Sequence, residues 1–263
     1  VVGFDHDDEG EFVAVENAEN YTGAVGGDRK TLGLHEDEVE LIKTVGPENK
    51  NSAVVMIGGN MIMVTDWIDS VASVLMAFYP GQEGGSVIAR ILTGEVNPSG
   101  KLPFVLPYEE EDLPHVNWDT TNQYYGYYHG YTKLQKIGKT PLLPFGFGGS
   151  YTTFSVEAPA FRADEDKVTG VCTVKNTGDT EVIQLYVGFG HSSIDRPVRL
   201  LRGFRRVTLA PGEEKQVEIT CPVEKLKYYD TKSASFRLEH MEYEMYIGTS
   251  SAEEDLLKGS IQL

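Results

Sequence analysis

The sequence has few cysteines and no long hydrophobic run. Its only two cysteines, Cys172 and Cys221, lie in strand-like segments and have no CxxC partner or neighbouring His cluster. This pattern argues against a zinc site and favours two buried free thiols over a disulfide. Because no apolar run reaches about 18 residues, the sequence predicts no transmembrane helix. We therefore expect neither a metal site nor a membrane span, and no motif calls for a cofactor.

Basic residues are also scarce. The chain has 23 Lys and Arg against 40 Asp and Glu, which gives a formal charge of −17. Phosphate binding needs clustered Lys and Arg, so this balance argues against a nucleic-acid partner and against an anionic membrane surface. The charge is compatible with a neutral or cationic small substrate, and its simplest role is solubility.

An initiator Met is missing as well, and the chain starts with Val1, Val2 and Gly3, which resemble the middle of a strand. We expect upstream sequence to belong with it, and the cellular compartment stays open. At 263 residues the chain is long enough for two domains of ordinary size.

The first 107 residues alternate buried strands with amphipathic helices. Strands are predicted at residues 1–3, 52–57 and 71–79, and a helix begins after Gly84. Such alternation indicates a mostly parallel α/β sheet, here partial at its N-terminus. A further helix between the first two strands is predicted to turn one apolar face to the sheet, formed by Val39, Leu41, Ile42 and Val45.

The rest of the chain has a different character. Residues 151–263 contain about seven short strands with turn signals between them, which predicts an all-β sandwich. Residues 108–150 form an aromatic-rich connector, and six tyrosines lie between positions 108 and 131. These rings suit either stacking on sugars or packing between domains, and packing is the favoured interpretation. The predicted domains are therefore 1–107, 108–150 and 151–263.

Two stretches carry carboxylates in positions that suit ligand binding or acid catalysis. Glu83 lies in a loop between a strand end and a helix, where α/β proteins often bind ligands. A carboxylate at a helix N-terminus also caps free N–H groups, and we favour that structural role. Residues 5–11 (DHDDEGE) form an acidic loop. Neighbouring carboxylates raise one another's pKa, as a general acid requires, although a solvated acidic turn is the alternative.

Six segments occur together in a recognisable order. They are GGDRKTLGL (26–34), PGQEGG (80–85), NPSGKLPFVLP (97–107), PFGFGGSYTTF (144–154), VKNTG (174–178) and LAPGE (209–213). In this order they resemble the C-terminal half of glycoside hydrolase family 3, the β-glucosidase-like enzymes. The resemblance covers nearly the whole chain.

The resemblance implies an α/β sandwich domain followed by a fibronectin type III-like domain. It also implies an N-terminal (β/α)₈ barrel that carries the catalytic nucleophile in a Ser-Asp-Trp-like motif and is missing from this chain. Thr65-Asp66-Trp67 looks like that motif but falls among the strands of the first domain. We therefore interpret Asp66 as non-catalytic.

The resemblance further implies that the acid/base lies in a Gly-Glu-Gly-Tyr-like loop upstream of the Asp-Arg pair. Counting without gaps from Val1-Val2 selects Glu9, the preferred candidate, whereas matching a Gly-Glu pair selects Glu11. His6 and Asp8 in the same loop are candidates for substrate contact.

The Asp-Arg pair itself, Asp28 and Arg29, is expected to hold this loop in shape. The predicted function is that of a retaining β-glycosidase acting on terminal, non-reducing sugars, with this portion inactive by itself. The alternative is a non-catalytic carbohydrate-binding or interaction module.

Overall fold

The computed structural model describes residues 1–9, 29, 31–117, 120, 122–176 and 178–263, with His6 and Asp7 described by their backbone alone. These residues divide into two compact units. Unit 1 contains Val1–Thr93 and Pro107–Tyr124, and unit 2 contains Gly94–Leu106 and Tyr125–Leu263. The predicted domain boundaries at 107 and 150 stay predictions, since contacts group residues 94–106 with unit 2.

Unit 1 contains a parallel sheet. Its strands are β1 (Val2–Gly3), β2 (Ala53–Ile57) and β3 (Ser73–Phe78), in the order β1-β2-β3 with both pairs parallel. Among the described residues, helices α1 (His6–Glu9) and α2 (Glu36–Val45) lie between β1 and β2, and α3 (Gly84–Leu92) follows β3. The centre of β2 is buried, as its continuous apolar run predicted. The mostly parallel α/β arrangement of this region is thus confirmed.

The predicted apolar face of α2 is only partly correct. Ile42 is buried, but Leu41 and Val45 are 55% and 56% exposed. Leu41 points about 100° away from Ile42 around the helix axis. Val45 points only about 60° away from Ile42, but it is the last residue of the helix. The helix ends where Gly46 and Pro47 predicted, and a 3-10 turn, Gly46–Glu48, follows it.

Unit 2 is built mainly from antiparallel strands in two sheets and one hairpin. One sheet has the order β4-β5-β8 and the other the order β12-β11-β6-β7, while β9 and β10 form the hairpin. The prediction of an all-β region is confirmed. The strands are β4 (Phe154–Ala163), β5 (Lys167–Asn176), β6 (Asp179–Gly188), β7 (Arg199–Leu209), β8 (Glu214–Pro222), β9 (Tyr228–Asp230), β10 (Ser235–Arg237), β11 (Glu242–Gly248) and β12 (Leu256–Gln262).

Alternate side chains of the long strands form the core of unit 2. On β6, for example, Ile183, Leu185 and Val187 are fully buried in it. The intervening residues Gln184 and Tyr186 are also buried. Both faces of β6 are therefore covered, which distinguishes it from a strand with one solvated face.

Two of the signature segments lie against each other within unit 2. Leu106 and Leu143 exchange backbone hydrogen bonds of 2.9 and 3.1 Å, and the Leu102 N–H donates to the Phe147 carbonyl at 2.7 Å. Asn97 Oδ1 accepts from the Tyr151 N–H at 2.7 Å. Helix α4 (Gly130–Ile137) precedes the second segment. These two segments thus have a structural role, because each provides hydrogen-bond partners for backbone groups of the other.

Both cysteines are free and fully buried, as the sequence predicted. Cys172 lies opposite Val217 and Cys221 opposite Val168 in the β5–β8 pair, so the two thiols do not face each other. Burial raises the pKa of the Cys172 thiol to about 11. Within the described part of the chain, no helix has the length and apolar character needed to cross a membrane.

Candidate functional site

The candidate site lies where the loops that follow the three parallel strands come together. β1 ends at Gly3, β2 leads into Gly58 and Gly59, and β3 leads into Tyr79. The carboxyl ends of parallel strands share one edge of a sheet, which is the usual ligand-binding edge of α/β folds. The acidic loop begins at this edge, because α1 follows β1 directly.

Gly3 allows the chain to leave β1 in the required direction. Its φ is +133°, and a Cβ there would lie 1.8 Å from the Ile57 carbonyl oxygen. The Gly3 N–H donates to Glu38 Oε1 at 2.9 Å, and the Phe4 N–H donates to the Ile57 carbonyl at 2.9 Å. A residue with a side chain would be both strained and obstructed at this position.

The carboxylate of Glu9 receives contacts from three separate parts of unit 1. Its Oε1 lies 2.9 Å from Arg29 Nε, and its Oε2 accepts from the Gly59 N–H at 2.6 Å. The Tyr79 hydroxyl also donates to Oε2. The side chains of Glu9 and Arg29 are only 12% and 10% exposed. We call these four residues, Glu9, Arg29, Gly59 and Tyr79, the Glu9 clamp.

Arg29 and Gly59 are themselves fitted closely to their surroundings. Arg29 donates from Nη2 to the Met61 carbonyl at 3.1 Å, and its guanidinium carbon lies 4.1 Å from the centre of the Phe4 ring. A Cβ on Gly59 would lie 2.8 Å from the Tyr79 ring and 3.1 Å from Glu9 Oε2. The absence of a side chain at Gly59 therefore permits its N–H to reach the carboxylate.

Tyr79 is brought to Glu9 by an irregular end of β3. The β2–β3 register shifts between Met56 and Ile57, and Phe78 has a φ of +53°. Bulges and left-handed residues commonly redirect a side chain next to a functional site. The hydrogen bond to the Glu9 carboxylate, followed by burial, raises the pKa of Tyr79 above its ordinary value. Sequence reasoning missed Tyr79, although its position at a parallel strand's carboxyl end was a usable signal.

Asp8, another acidic residue of this loop, is held by neighbouring residues. Asp8 Oδ1 lies 3.0 Å from His35 Nε2, and Asp8 Oδ2 accepts from the Asp5 N–H at 3.1 Å. His35 in turn meets the Phe4 ring edge-on at 5.2 Å between ring centres. Substrate contact by Asp8 stays a prediction.

Several predicted site residues lie outside the Glu9 clamp or outside the described residues. Glu11, Asp28 and the side chain of His6 lie outside the described residues. Glu83 is the exposed N-cap residue of α3, but its carboxylate makes no capping hydrogen bond to the described helix, so that part of its predicted role is wrong. Glu at this position lacks the short side chain that suits capping. Asp66 is exposed.

The site consists of carboxylates and the hydrogen-bond donors that contact them. Across the described ranges, His, Cys, Asp and Glu form no group of three or more that could hold a metal ion. The arrangement instead fixes one carboxylate, that of Glu9, at a loop edge rich in further acids.

Two protein families match the two parts of the chain. The glycosyl hydrolase family 3 C-terminal domain matches residues 2–151, and a fibronectin type III-like domain matches residues 181–251. A beta-glucosidase of Bacteroides ovatus is 36% identical over 258 residues, which cover 92% of this chain and 34% of that protein. An exo-alpha-(1->6)-L-arabinopyranosidase of Bifidobacterium breve is 33% identical over 237 residues, covering 87% of this chain and 31% of that protein.

Solved structures agree with these matches. The crystal structure of a Bifidobacterium adolescentis GH3 beta-glucosidase superposes with a TM-score of 0.84 at 32% identity, covering 94% of this chain and 37% of that one. The chain thus spans about a third of the length of the relatives that it matches. The family match extends over more than half of the chain and includes the loop edge that holds Glu9. The chain therefore belongs to glycosyl hydrolase family 3, with the family's C-terminal domain followed by a fibronectin type III-like domain.

Proposed function

We propose that this chain is the C-terminal portion of a retaining β-glycosidase that hydrolyses terminal, non-reducing β-linked sugars. In this proposal it supplies the general acid/base to a barrel domain that holds the nucleophile. The observation that carries the proposal is the convergence of three strand-end loops on the acidic loop, at the ligand-binding edge of a family 3 domain. Several relatives are beta-glucosidases, which supports the substrate class.

Retaining hydrolysis needs two carboxyl groups about 5–5.5 Å apart. One attacks the anomeric carbon and forms a glycosyl-enzyme intermediate. The other protonates the departing oxygen and then takes a proton from the attacking water. The acidic loop offers the second group, and the nucleophile is assigned to the barrel. Without the nucleophile no glycosyl-enzyme intermediate forms, so we expect the chain alone not to turn over substrate.

Glu9 and Glu11 are the two candidates for the acid/base. Each is to be replaced by alanine in the full-length protein, and turnover measured on an activated aryl β-glucoside with and without azide. Loss of the acid/base lowers turnover of substrates with poor leaving groups by about 100-fold or more. Azide takes the place of water in the second step, which no longer needs a base, so it restores turnover with an activated leaving group.

We expect azide to rescue one of the two alanine variants, and that variant identifies the acid/base. Asp66→Asn serves as the carboxylate control, since Asp66 is exposed and assigned no catalytic role. Its turnover should match that of the parent. Rescue of neither glutamate variant would contradict the assignment of the acid/base to the acidic loop.

A non-catalytic carbohydrate-binding module is the second candidate function. Three tyrosines of the connector are strongly exposed: Tyr124 at 88%, Tyr125 at 59% and Tyr127 at 64%. Exposed aromatic faces can stack on sugar rings without cleaving a bond. The same assay separates the two functions, because a binding module confers no turnover that a glutamate variant could lose.

A further inference from the structure

We propose that Glu9 is a positioning residue, which fixes the start of the acidic loop through Arg29, the Gly59 N–H and the Tyr79 hydroxyl, rather than the proton donor itself. This inference rests on the proposed glycosidase function and decides between the two candidates for the acid/base. It also adds Tyr79 to the residues on which turnover depends.

The two carboxylate oxygens of Glu9 are engaged differently. The Gly59 N–H and the Tyr79 hydroxyl both donate to Oε2. Oε1 is buried 2.9 Å from Arg29 Nε and accepts no hydrogen bond from the described residues. Oε2 is thus occupied and Oε1 is enclosed. A general acid needs instead a proton on one oxygen, directed at the departing group.

Glu9 and its ion-pair partner are both largely buried. The Glu9 side chain is 12% exposed and its ion-pair partner Arg29 is 10% exposed. A carboxylate paired with a buried guanidinium is costly to separate from it, because the cation would lose its compensating charge. Glu9 is therefore held in place and has little freedom to turn toward a substrate.

The clamp connects distant parts of the chain. It joins Gly59 and Tyr79, which lie 50 and 70 positions after Glu9, to the four-residue helix α1. Such a short helix has little stability of its own, so its position depends on tertiary contacts. By fixing Glu9, the clamp determines where the chain leaves α1 at the carboxyl edge of the sheet. A shift of about 1 Å at a reacting group can reduce rate by about 100-fold.

Tyr79 provides the mildest way to test the clamp. Its side chain is 56% exposed, so removing the hydroxyl disturbs the core little. The Tyr79→Phe variant deletes one donor to Oε2 and leaves the Arg29 and Gly59 contacts in place. Tyr229→Phe is the matched control, because Tyr229 is 53% exposed in the β9–β10 hairpin of unit 2.

The experiment compares Glu9→Ala, Glu9→Gln, Tyr79→Phe and Tyr229→Phe in the full-length protein. Turnover is measured on two β-glucosides, one with a good and one with a poor leaving group. We expect Glu9→Gln and Tyr79→Phe to lower kcat on the poor substrate by about 10- to 100-fold, with KM within about threefold of the parent. The loss on the good substrate should be smaller, because that leaving group needs less help from a well-placed acid. Tyr229→Phe should behave as the parent does.

Azide rescue distinguishes the possible outcomes. We expect no rescue of Glu9→Ala and an unchanged pH profile in Tyr79→Phe. Rescue of Glu9→Ala would make Glu9 the acid/base and overturn the inference while supporting the proposed function. Equal losses on both substrates, or parent-like kcat in both Glu9→Gln and Tyr79→Phe, would also overturn it. A parent protein without turnover on any aryl β-glycoside would instead remove the proposed function.

Discussion

Replacing Gly146 with alanine is expected to destabilise unit 2 by about 3 to 5 kcal/mol, from backbone strain together with a disrupted hydrogen-bond network. Gly146 has a φ of +79°, and a Cβ there would lie 2.2 Å from Gln184 Oε1. The left-handed conformation alone costs a residue with a side chain about 1–2 kcal/mol. The remainder arises because the amide of Gln184 has to move.

Gln184 is the centre of a buried network that such a movement would break. Its Nε2 donates to the Gly146 carbonyl at 3.1 Å and to the Thr249 carbonyl at 2.5 Å. Its Oε1 accepts from the Tyr186 hydroxyl at 2.6 Å. Gln184 is 2% exposed and Tyr186 is fully buried, so water cannot readily replace the lost partners. Each buried group left unpaired costs about 1–3 kcal/mol.

Gly212→Ala is the matched control for this prediction. Gly212 has a φ of +77°, but a Cβ there would meet nothing within 4 Å. It should therefore cost only the backbone term of about 1–2 kcal/mol. Urea unfolding followed by circular dichroism in the tyrosine region measures both variants. Equal losses in the two variants would contradict the role given to the Gln184 network.

Replacing Lys101 with methionine is expected to destabilise unit 2 by about 3 to 5 kcal/mol, because it leaves a buried carboxylate without its cation. Lys101 Nζ lies 2.7 Å from Glu181 Oε1, and it donates to the Gly148 carbonyl at 3.2 Å. The two side chains are only 12% and 8% exposed. This pair connects one signature segment to β6.

The double variant Lys101→Met with Glu181→Met tests the cause. Removing both charges should recover much of the loss, since an apolar pair of similar volume often replaces a buried ion pair without net cost. The exposed pair of Arg162 and Glu218 has the same 2.7 Å separation, with side chains 59% and 45% exposed. Arg162→Met should cost no more than about 1 kcal/mol. A similar loss at Lys101 and Arg162 would show that burial is not the cause.

Both tryptophans of the sequence provide a second signal in these experiments. Trp67 belongs to unit 1, Trp118 lies outside the described residues, and no residue of unit 2 is a tryptophan. Tryptophan fluorescence therefore follows unit 1, while tyrosine circular dichroism includes unit 2. A change confined to the fluorescence signal would contradict the assignment of Gly146 and Lys101 to the stability of unit 2.

Local sequence patterns predicted the elements of the fold well, because strands and helices depend on short-range periodicity. The apolar run of β2 and the turn signals between the strands of unit 2 both led to the observed elements. The grouping of residues 94–106 with unit 2 was not predictable in this way. It depends on backbone hydrogen bonds such as that from Leu102 to Phe147, 45 positions apart along the chain.

The candidate site was predicted only in part, because some of its contacts are visible in the local sequence and others are not. The acidic loop and Arg29 stand out in the sequence, and the structure brings Arg29 to Glu9 as an ion pair. The contacts of Gly59 and Tyr79 arise from tertiary structure, since both lie at strand ends far from Glu9 in sequence. The predicted cap at Glu83 was wrong because a helix N-terminus near a carboxylate does not ensure a hydrogen bond.

Hydrolysis of an aryl β-glucoside by the chain of residues 1–263 alone tests the central claim most directly. We assign the acid/base to this chain and the nucleophile to an upstream barrel domain. We therefore predict no turnover by the chain alone and clear turnover when it is produced together with the upstream barrel. Turnover by residues 1–263 without any other domain would contradict the account, because both catalytic carboxylates would then belong to this chain.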